Sequence, residues 1–420
     1  MKNSDYSNTN KVDIQWIFTL FGTAVGAGLL YLPVQAGDSG FWASLTVMIF
    51  ALPLTYFSHR NMSNIVINAQ DKAITGVFTH NLGKFFGFLC VVLYFLAIFL
   101  NMPMYSIGLN NELGNFLYKY SLSNSDFSHQ IWFSFLILTI LMTIVSLGIN
   151  IILKFMQFIV ISLIIMVIAL SIYVVPYWNG EFITKSHFEI VSYIKGVLMV
   201  LPILILSMNH SPVVSSLVVF YKENMQMINT DAKIKVYKIL KINAYVLFIF
   251  VLLFVSSCLL STTVGDLNIA SINNLSIVTL IEQQHPSAVL RILGPMIIFT
   301  AIISSFVGCY IGSREALRYL FKNLFKTYYN LNIKDKYINA LCIFIIFIVL
   351  WICTICDFKI LNIIGILVAP TVAFLLYILP VIVIYQNVRY QEYRKAGLNI
   401  MLVIIGLTII FGYIIGLLIK

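Results

Sequence analysis

The segment Gly22-Thr23-Ala24-Val25-Gly26-Ala27-Gly28 sets three glycines in seven residues inside the first long apolar run, residues 14–33. A helix in lipid satisfies its own backbone groups, and unwinding is tolerated there only where the freed groups face protein, water or a ligand. The chemistry on offer is therefore that of the backbone. N–H groups at the start of the outer half-helix, at Ala27 and Gly28, can hold a carboxylate. Carbonyls that end the inner half-helix, at Gly22, Thr23 and Val25, can take a cation or an ammonium group. The plainer alternative is that Gly22, Gly26 and Gly28 are close-packing surfaces.

A second break decides between these readings. Ser207-Met208-Asn209-His210-Ser211-Pro212 interrupts another apolar run near the middle of the chain. Pro212 has no N–H, so the carbonyl near Met208 loses its helical partner. Ser207, Asn209 and Ser211 can bind substrate polar groups or satisfy the broken backbone. His210 is a functional candidate because intramembrane histidines are rare, and imidazole suits proton coupling. Bridging between helices is its plainer role. Two interrupted spans in corresponding halves point to a secondary transporter.

Ala301, Ser304 and Ser305 stand at i, i+3 and i+4 on one face of a third apolar run. Two hydroxyls with a backbone carbonyl form an oxygen-only nook suited to a hard cation. Serines in membrane helices also bond their own preceding carbonyls. Further along this run, Arg314-Glu315 with Arg318 reads as a snorkelling cluster or as a gate in which Glu315 pairs with a base in one state. Asn101, Pro103 and Tyr105 can line a cavity wall, with Glu112 toward the far end of their span. Cys353-x-x-Cys356 has no second Cys or His pair after it and reads as two small apolar residues at a helix end. No metal site and no cofactor is expected beyond a coupling ion, proton or sodium.

The elements that must position these residues follow from composition. Of 420 residues, 60% are hydrophobic and 10% are charged, against about 25% charged in soluble domains. Apolar runs exceed the ~20 residues that cross hydrocarbon, and the ~10-residue alternation of outer-membrane strands is absent. The expected fold is all-α, with spans near 14–34, 41–66, 84–118, 130–148, 150–176, 192–220, 237–262, 287–320, 337–355, 360–386 and 396–418. With a cytoplasmic N-terminus, 20 Lys and Arg fall on the inner side and 6 on the outer. That bias sets the orientation by the positive-inside rule and places the C-terminus outside. The net charge of +10 is thus topogenic, and no nucleic-acid partner is expected. Residues 1–13 read as a polar cytoplasmic tail without signal-peptide features, and 14–418 as a single membrane transport domain. The breaks open two groups of five spans, residues 14–176 and 192–386. Five is odd, so the second group enters inverted, and 396–418 is one extra helix. Connections at 177–191 and 264–286 lie outside, the second with turn residues Asn273, Asn274 and Pro286 and placed to cap an outer vestibule.

Several of these segments resemble one family. Phe21 to Gly28, Leu32-Pro33 and Gly40-Phe41-Trp42 resemble the start of bacterial hydroxy/aromatic amino acid permeases. Pro53 to Arg60 fits the end of their second helix. Asn209-His210-Ser211-Pro212 with Ser215-Ser216 is similar to their sixth helix, and Ser305-Phe306, Gly308, Tyr310, Gly312 and Arg314-Glu315 to their eighth. The resemblance runs nearly end to end and is closest to the serine and threonine branch. It implies the leucine-transporter-like inverted repeat of the amino acid–polyamine–organocation superfamily. It also implies uptake of serine or threonine across the inner membrane by proton symport. The chain departs from that branch at Ser304, where the branch carries lysine, and at Cys309, where it carries histidine.

The expected function is ion-coupled import of a small neutral amino acid by alternating access. Its partners are that amino acid and the lipid bilayer. Substrate would meet Gly22, Thr23, Gly26, Ala27, Gly28, Ser207, Asn209 and Ser211. The ion would meet Gly22, Val25, Ala301, Ser304 and Ser305, or His210. A sodium-coupled symporter, a permease for an aromatic amino acid and an amino acid sensor are the alternatives. An intramembrane enzyme is disfavoured, because the six histidines are scattered, most of them in loops or at span ends, and no HExxH is present.

Overall fold

The computed structural model describes residues 3–69, 73–119, 125, 127–128, 130–273, 275–328, 331, 333–356 and 368–418, and every regular element among them is helical. The first long helix, α1 (Asn3–Ala24), is followed after a two-residue break by α2 (Ala27–Ser39). Then come α3 (Phe41–Ile67), α4 (Ile74–Leu82), α5 (Lys84–Phe99), α6 (Asn101–Lys119), α7 (Ile131–Ser146) and α8 (Ile149–Tyr173). A short α9 (Glu181–Thr184) leads to α10 (Ile190–Ser207) and, across the second break, α11 (Ser211–Val219). α12 (Asn229–Ser261), α13 (Val264–Ile272), α14 (Ile277–Gln284), α15 (Ala288–Tyr328) and α16 (Asp335–Cys356) follow. The chain closes with α17 (Ala369–Ala373), α18 (Leu379–Gln386) and α19 (Ala396–Leu418).

Among the described residues, eight helical stretches are long and apolar enough to cross a membrane, and the bent pair α1–α2 makes a ninth. α7 and residues Ala396–Gly412 of α19 are shorter apolar helices at the positions expected for the fourth and last spans. The span expected from residue 360 begins outside the described residues and continues as α17–α18. The outer surface is apolar: Phe85, Phe158, Ile292 and Phe344 are each more than half exposed. Hydroxyls and imidazoles instead collect inside, with Thr23, His59, Ser207, His210, Ser304 and Ser305 all buried. A surface of this kind is stable only against lipid.

The polar stretch at 3–13 is helical. It is the first part of α1, whose Asp13 carboxylate accepts from the Tyr221 hydroxyl and from Lys235 Nζ at 2.6 Å. Tyr221 lies in the turn that follows α11 and Lys235 in α12, so Asp13 ties α1 to both.

Packing around the breaks gives the architecture. α2 lies along α10, while α1 touches α11, so the two broken spans run in opposite directions. α3 covers both halves of the second break, and α15 runs past α1, α5, α6, α8 and α11. On the face where α1 begins, Lys222 Nζ donates to the Ile67 carbonyl at 2.9 Å, capping the end of α3, and the Tyr390 hydroxyl donates to Ile65 at 3.1 Å. The basic connections before α12 and α19 therefore meet on this face.

On the opposite face, the stretch at 264–286 folds as α13 and α14, with Thr263 and Ser276 accepting from the first-turn N–H groups of Asp266 and Thr279. Asn273 ends α13, and Asn274 lies outside the described residues. α13 packs on α2, with Leu267 against Gly37, so this connection is a pair of helices seated on the second half of the first broken span.

Between α2 and α3 the chain turns at Gly40 with φ +85°, and a Cβ there would meet no atom within 4 Å. Any cost of adding one is conformational. Gly40→Ala should therefore lower unfolding stability by about 1–2 kcal/mol. Gly397→Ala, equally uncrowded but inside α19 without a positive φ, should gain about 0.4–1 kcal/mol. Thermal unfolding in detergent measures both.

Candidate functional site

At the first break the hydrogen-bond ladder stops where the glycines stand. Gly26 N–H, which a continuous helix would give to the Gly22 carbonyl, bonds to Ala24 at 3.0 Å; Leu29 N–H, which would go to Val25, bonds to Gly26 at 3.1 Å. The carbonyls of Gly22 and Val25 are thereby released, and the axis bends by 48°. Ser305 of α15 answers the first: its hydroxyl donates to the Gly22 carbonyl at 3.0 Å. Ser304 donates to its own Ala301 carbonyl at 3.0 Å, as membrane serines commonly do.

α15 approaches this break closely because it carries glycine there. A Cβ on Gly308 would lie 2.0 Å from Thr23 Oγ1, and one on Gly312 would lie 2.5 Å from the Pro212 carbonyl of the second break. One helix thus bears on both breaks. From the other side, a Cβ on Gly26 would meet Ser305 Oγ at 2.2 Å and the Tyr105 hydroxyl at 3.3 Å, and one on Gly28 would meet Ser207 Oγ at 3.1 Å. Gly22, Thr23, Gly26, Gly28, Ser207, Ser304 and Ser305 accordingly converge on one buried centre. Ala27 and Gly28 open α2, where the first N–H groups have no preceding helical carbonyl.

The second break is satisfied by side chains almost atom by atom. Pro212 cannot donate, so the Met208 carbonyl accepts instead from His210 Nδ1 at 3.1 Å. Ser211 N–H bonds to Asn209 Oδ1 at 3.0 Å, which releases the Ser207 carbonyl. The His210 N–H reaches out of its own segment to His59 Nε2 of α3 at 3.1 Å, and the two rings stack with centroids 3.6 Å apart. Asn209 therefore serves the broken backbone through its oxygen and keeps its amide NH2 free of that duty.

Arg314 and Glu315 stand apart from this centre. Ten residues separate Glu315 from Ser305, about 15 Å of helix. The Glu315 carboxylate accepts from the Ser215 and Ser216 hydroxyls of α11 at 2.7 and 2.9 Å, so its partners here are neutral hydroxyls, not a base. Ser215 Oγ in turn accepts from the Ile74 N–H that starts α4, at 3.1 Å. Beside them lies a cavity of about 740 Å3, with Tyr310, Ser216 and Glu315 on its inner wall and the exposed Asn224, Lys322 and Asp335 at its edge.

One member of the site is not singled out by the sequence. His59 was grouped with histidines at span ends, yet α3 continues to Ile67 and buries it against His210. Its position inside an apolar run, one turn after Thr55, was the available signal. Tyr105, expected on a cavity wall, has its hydroxyl at Gly26. Asn101, its neighbour, bonds back to Ala97 at 2.7 Å across the α5–α6 junction.

A bundle of membrane-length helices, in which two oppositely directed spans break at a shared buried centre, is the framework of a membrane carrier. The chain belongs to the tryptophan/tyrosine permease family, whose sequence model matches residues 13–417. It is 30% identical to the serine transporter SdaC of Escherichia coli, over 95% of this chain and 94% of that protein. Identity is 28% to the inner membrane transport protein YqeG of Escherichia coli, over 95% and 97% of the two chains, and 26% to the threonine/serine transporter TdcC of Edwardsiella piscicida, over 96% and 95%. The family consists of permeases, not enzymes.

The two serines should separate in a mutational test. Ser305→Ala strands the buried Gly22 carbonyl and should cost about 1–3 kcal/mol. Ser304→Ala removes only a bond within its own helix turn and should cost less than about 1 kcal/mol. Equal losses in thermal unfolding would remove Ser305 as the partner of the first break.

Proposed function

We propose that this chain imports a small neutral amino acid, serine or threonine, across a bacterial inner membrane by proton symport with alternating access. The observation that carries this is the meeting of both breaks at one buried centre. Free N–H groups at Ala27 and Gly28 would receive the carboxylate, and the carbonyls of Gly22, Thr23 and Ser207 the ammonium. The Asn209 amide and the Ser211 hydroxyl would read the side chain. Ser305 and Tyr105 already crowd Gly26, which supports a small side chain over an indole. The names of the serine and threonine/serine transporters among its relatives agree with this.

Eleven spans, as an inverted five-plus-five repeat and one extra helix, account for the antiparallel broken pair. The N-terminus would be cytoplasmic and the C-terminus extracytoplasmic, in keeping with the basic residues gathered on the face where α1 begins. The cavity beside Glu315 would then open to the cytoplasm. Arg314 and Glu315 would belong to the inner gate, which Ser215 and Ser216 hold shut from α11. His210 would be the base for the coupling proton.

A sodium-coupled reading draws on the Ser304–Ser305 nook. Two hydroxyls and the carbonyls of Gly22, Val25 and Ala301 form an all-oxygen set suited to a hard cation. Counterflow of labelled L-serine and L-threonine in proteoliposomes tests the main reading. Exchange should appear without any ion gradient, and an inside-alkaline pH gradient should drive accumulation with choline in place of sodium. Accumulation that instead requires sodium would select the second reading, and no exchange of any amino acid would end both.

The gate makes its own prediction. In a variant that keeps Cys309 as its sole cysteine, buried on α15 beside Gly308, Glu315→Ala should raise the rate of thiol labelling about tenfold by favouring the inward-open state. An unchanged rate would show that Glu315 does not hold this face closed.

A further inference from the structure

The rings of His59 and His210 are both buried, and their hydrogen bonds define their protonation. A backbone N–H only donates, so His59 Nε2, which receives the His210 N–H at 3.1 Å, carries a lone pair. Its Nδ1 lies 2.7 Å from the Thr55 carbonyl, which only accepts, so the proton of His59 sits there. By the same logic His210 Nδ1 carries a proton, donated to the Met208 carbonyl at 3.1 Å. The Asn243 amide sits 3.4 Å from the same Nδ1. Since that nitrogen donates, the amide oxygen is the end that fits it. His59 is therefore neutral. His210 Nε2 meets neither an acceptor nor a counter-charge, and an imidazolium buried without either is costly, so this ring too is neutral and its Nε2 holds a lone pair.

The two lone pairs are not equivalent. That of His59 is occupied by the backbone of the second break. That of His210 is buried and has no partner. We infer that the stacked pair is a single-proton site, with His210 Nε2 as the seat of the coupling proton and His59 as the residue that positions it. The inference rests on the proposed proton symport and deepens it.

A proton arriving at His210 Nε2 takes up the free lone pair, and no existing hydrogen bond has to break. Arriving at His59 Nε2, it would put two donors face to face and release the His210 N–H. A second proton on the pair would place like charges 3.6 Å apart in a dry interior, where repulsion is many times thermal energy. One proton per cycle follows. The groups facing the pair are otherwise neutral. They are Thr55 and Ser58 of α3, Asn209 of the break, Asn243 of α12 and, behind Ser58, Tyr377 of the helical segment between α17 and α18. No carboxylate among the described residues faces either ring. The nearby cations Arg60 and Lys233 are engaged over the ring of Tyr237, toward the face where α1 begins.

The test uses the full chain in proteoliposomes with labelled L-serine. His210→Gln should lose the several-fold accumulation driven by an inside-alkaline gradient, and by a much larger factor than it loses counterflow. His59→Gln offers an amide oxygen to the His210 N–H and should retain gradient-driven accumulation. His59→Leu cannot accept that bond and should shift the pH dependence of uptake. Accumulation that survives His210→Gln, or is lost in His59→Gln with counterflow intact, overturns the assignment. If the parent shows no counterflow with serine or any other amino acid, the transport reading itself fails, which is a separate result. A measurement on the unaltered protein needs no tolerance of substitution. With 15N-labelled histidine in nanodiscs, both imidazoles should show the Nδ1–H neutral form at about pH 8, and acidification should protonate only one of the two. Two protonations, or none down to the pH where the protein unfolds, would refute the single-proton site.

Discussion

A carbonyl or N–H released inside a membrane bundle has no water to turn to, and the rest of this structure is arranged around that constraint. The Gly22 carbonyl is answered by Ser305 of α15, and the His210 N–H by His59 of α3. Met208 and Ser211 are answered from within the break by His210 and Asn209. Each of these bonds fixes a neighbouring helix or a local turn, so the breaks determine what packs around them. Leaving one such group unmet would cost about 1–3 kcal/mol, a large part of the stability of any protein.

Close approach is the second half of the same argument. Ser305 can reach the Gly22 carbonyl only because α15 lies against α1, and Gly308 sets that distance by yielding its side-chain space to Thr23. One turn further, Gly312 yields to the Pro212 carbonyl. The two glycines tie one long helix to both broken spans. Glu315, three residues beyond, adds hydrogen bonds to Ser215 and Ser216 of α11. α15 therefore touches α11 at two levels, at the break and below it, and a shift of α11 at either level is felt at the other.

The sequence made some of this plain for physical reasons. Glycine and proline interrupt helices by their own covalent structure, so both breaks could be placed to within a few residues. The i, i+3, i+4 spacing put Ala301, Ser304 and Ser305 on one face, which is where the Gly22 carbonyl lies. His59 was not legible in the same way. Its partner is 151 residues away, and periodicity in an apolar helix without a polar face says nothing about which side turns inward. The segment at 3–13 is polar yet helical. Polarity carries no helical period there, but the residues continue α1, and Asp13 meets Tyr221 and Lys235. In the polar connection at 264–286 the helices are likewise not obvious from polarity, since Thr263 before it and Ser276 within it act as helix caps for α13 and α14.

The partners of Glu315 bear on how such a molecule can move. A gate built from an ion pair near a protein surface gains roughly 4 kcal/mol of attraction at contact, and parting the charges loses it. Hydroxyls bonded to a carboxylate contribute about 1.5–3 kcal/mol each, and water replaces them readily once the groups are exposed. The 740 Å3 cavity already reaches Glu315 and Ser216 from one side, so solvent stands next to the bonds that must break. Separating α11 from α15 at this level exchanges two hydroxyl bonds for hydration and leaves no charge stranded. The same exchange at Ser305 has no solvent beside it, because that serine and Gly22 are enclosed by Val160, Met156 and Tyr105. The contact beside the cavity is consequently more easily hydrated than the one at Ser305, so under the proposed alternating access α15 and α11 would part there before the breaks did.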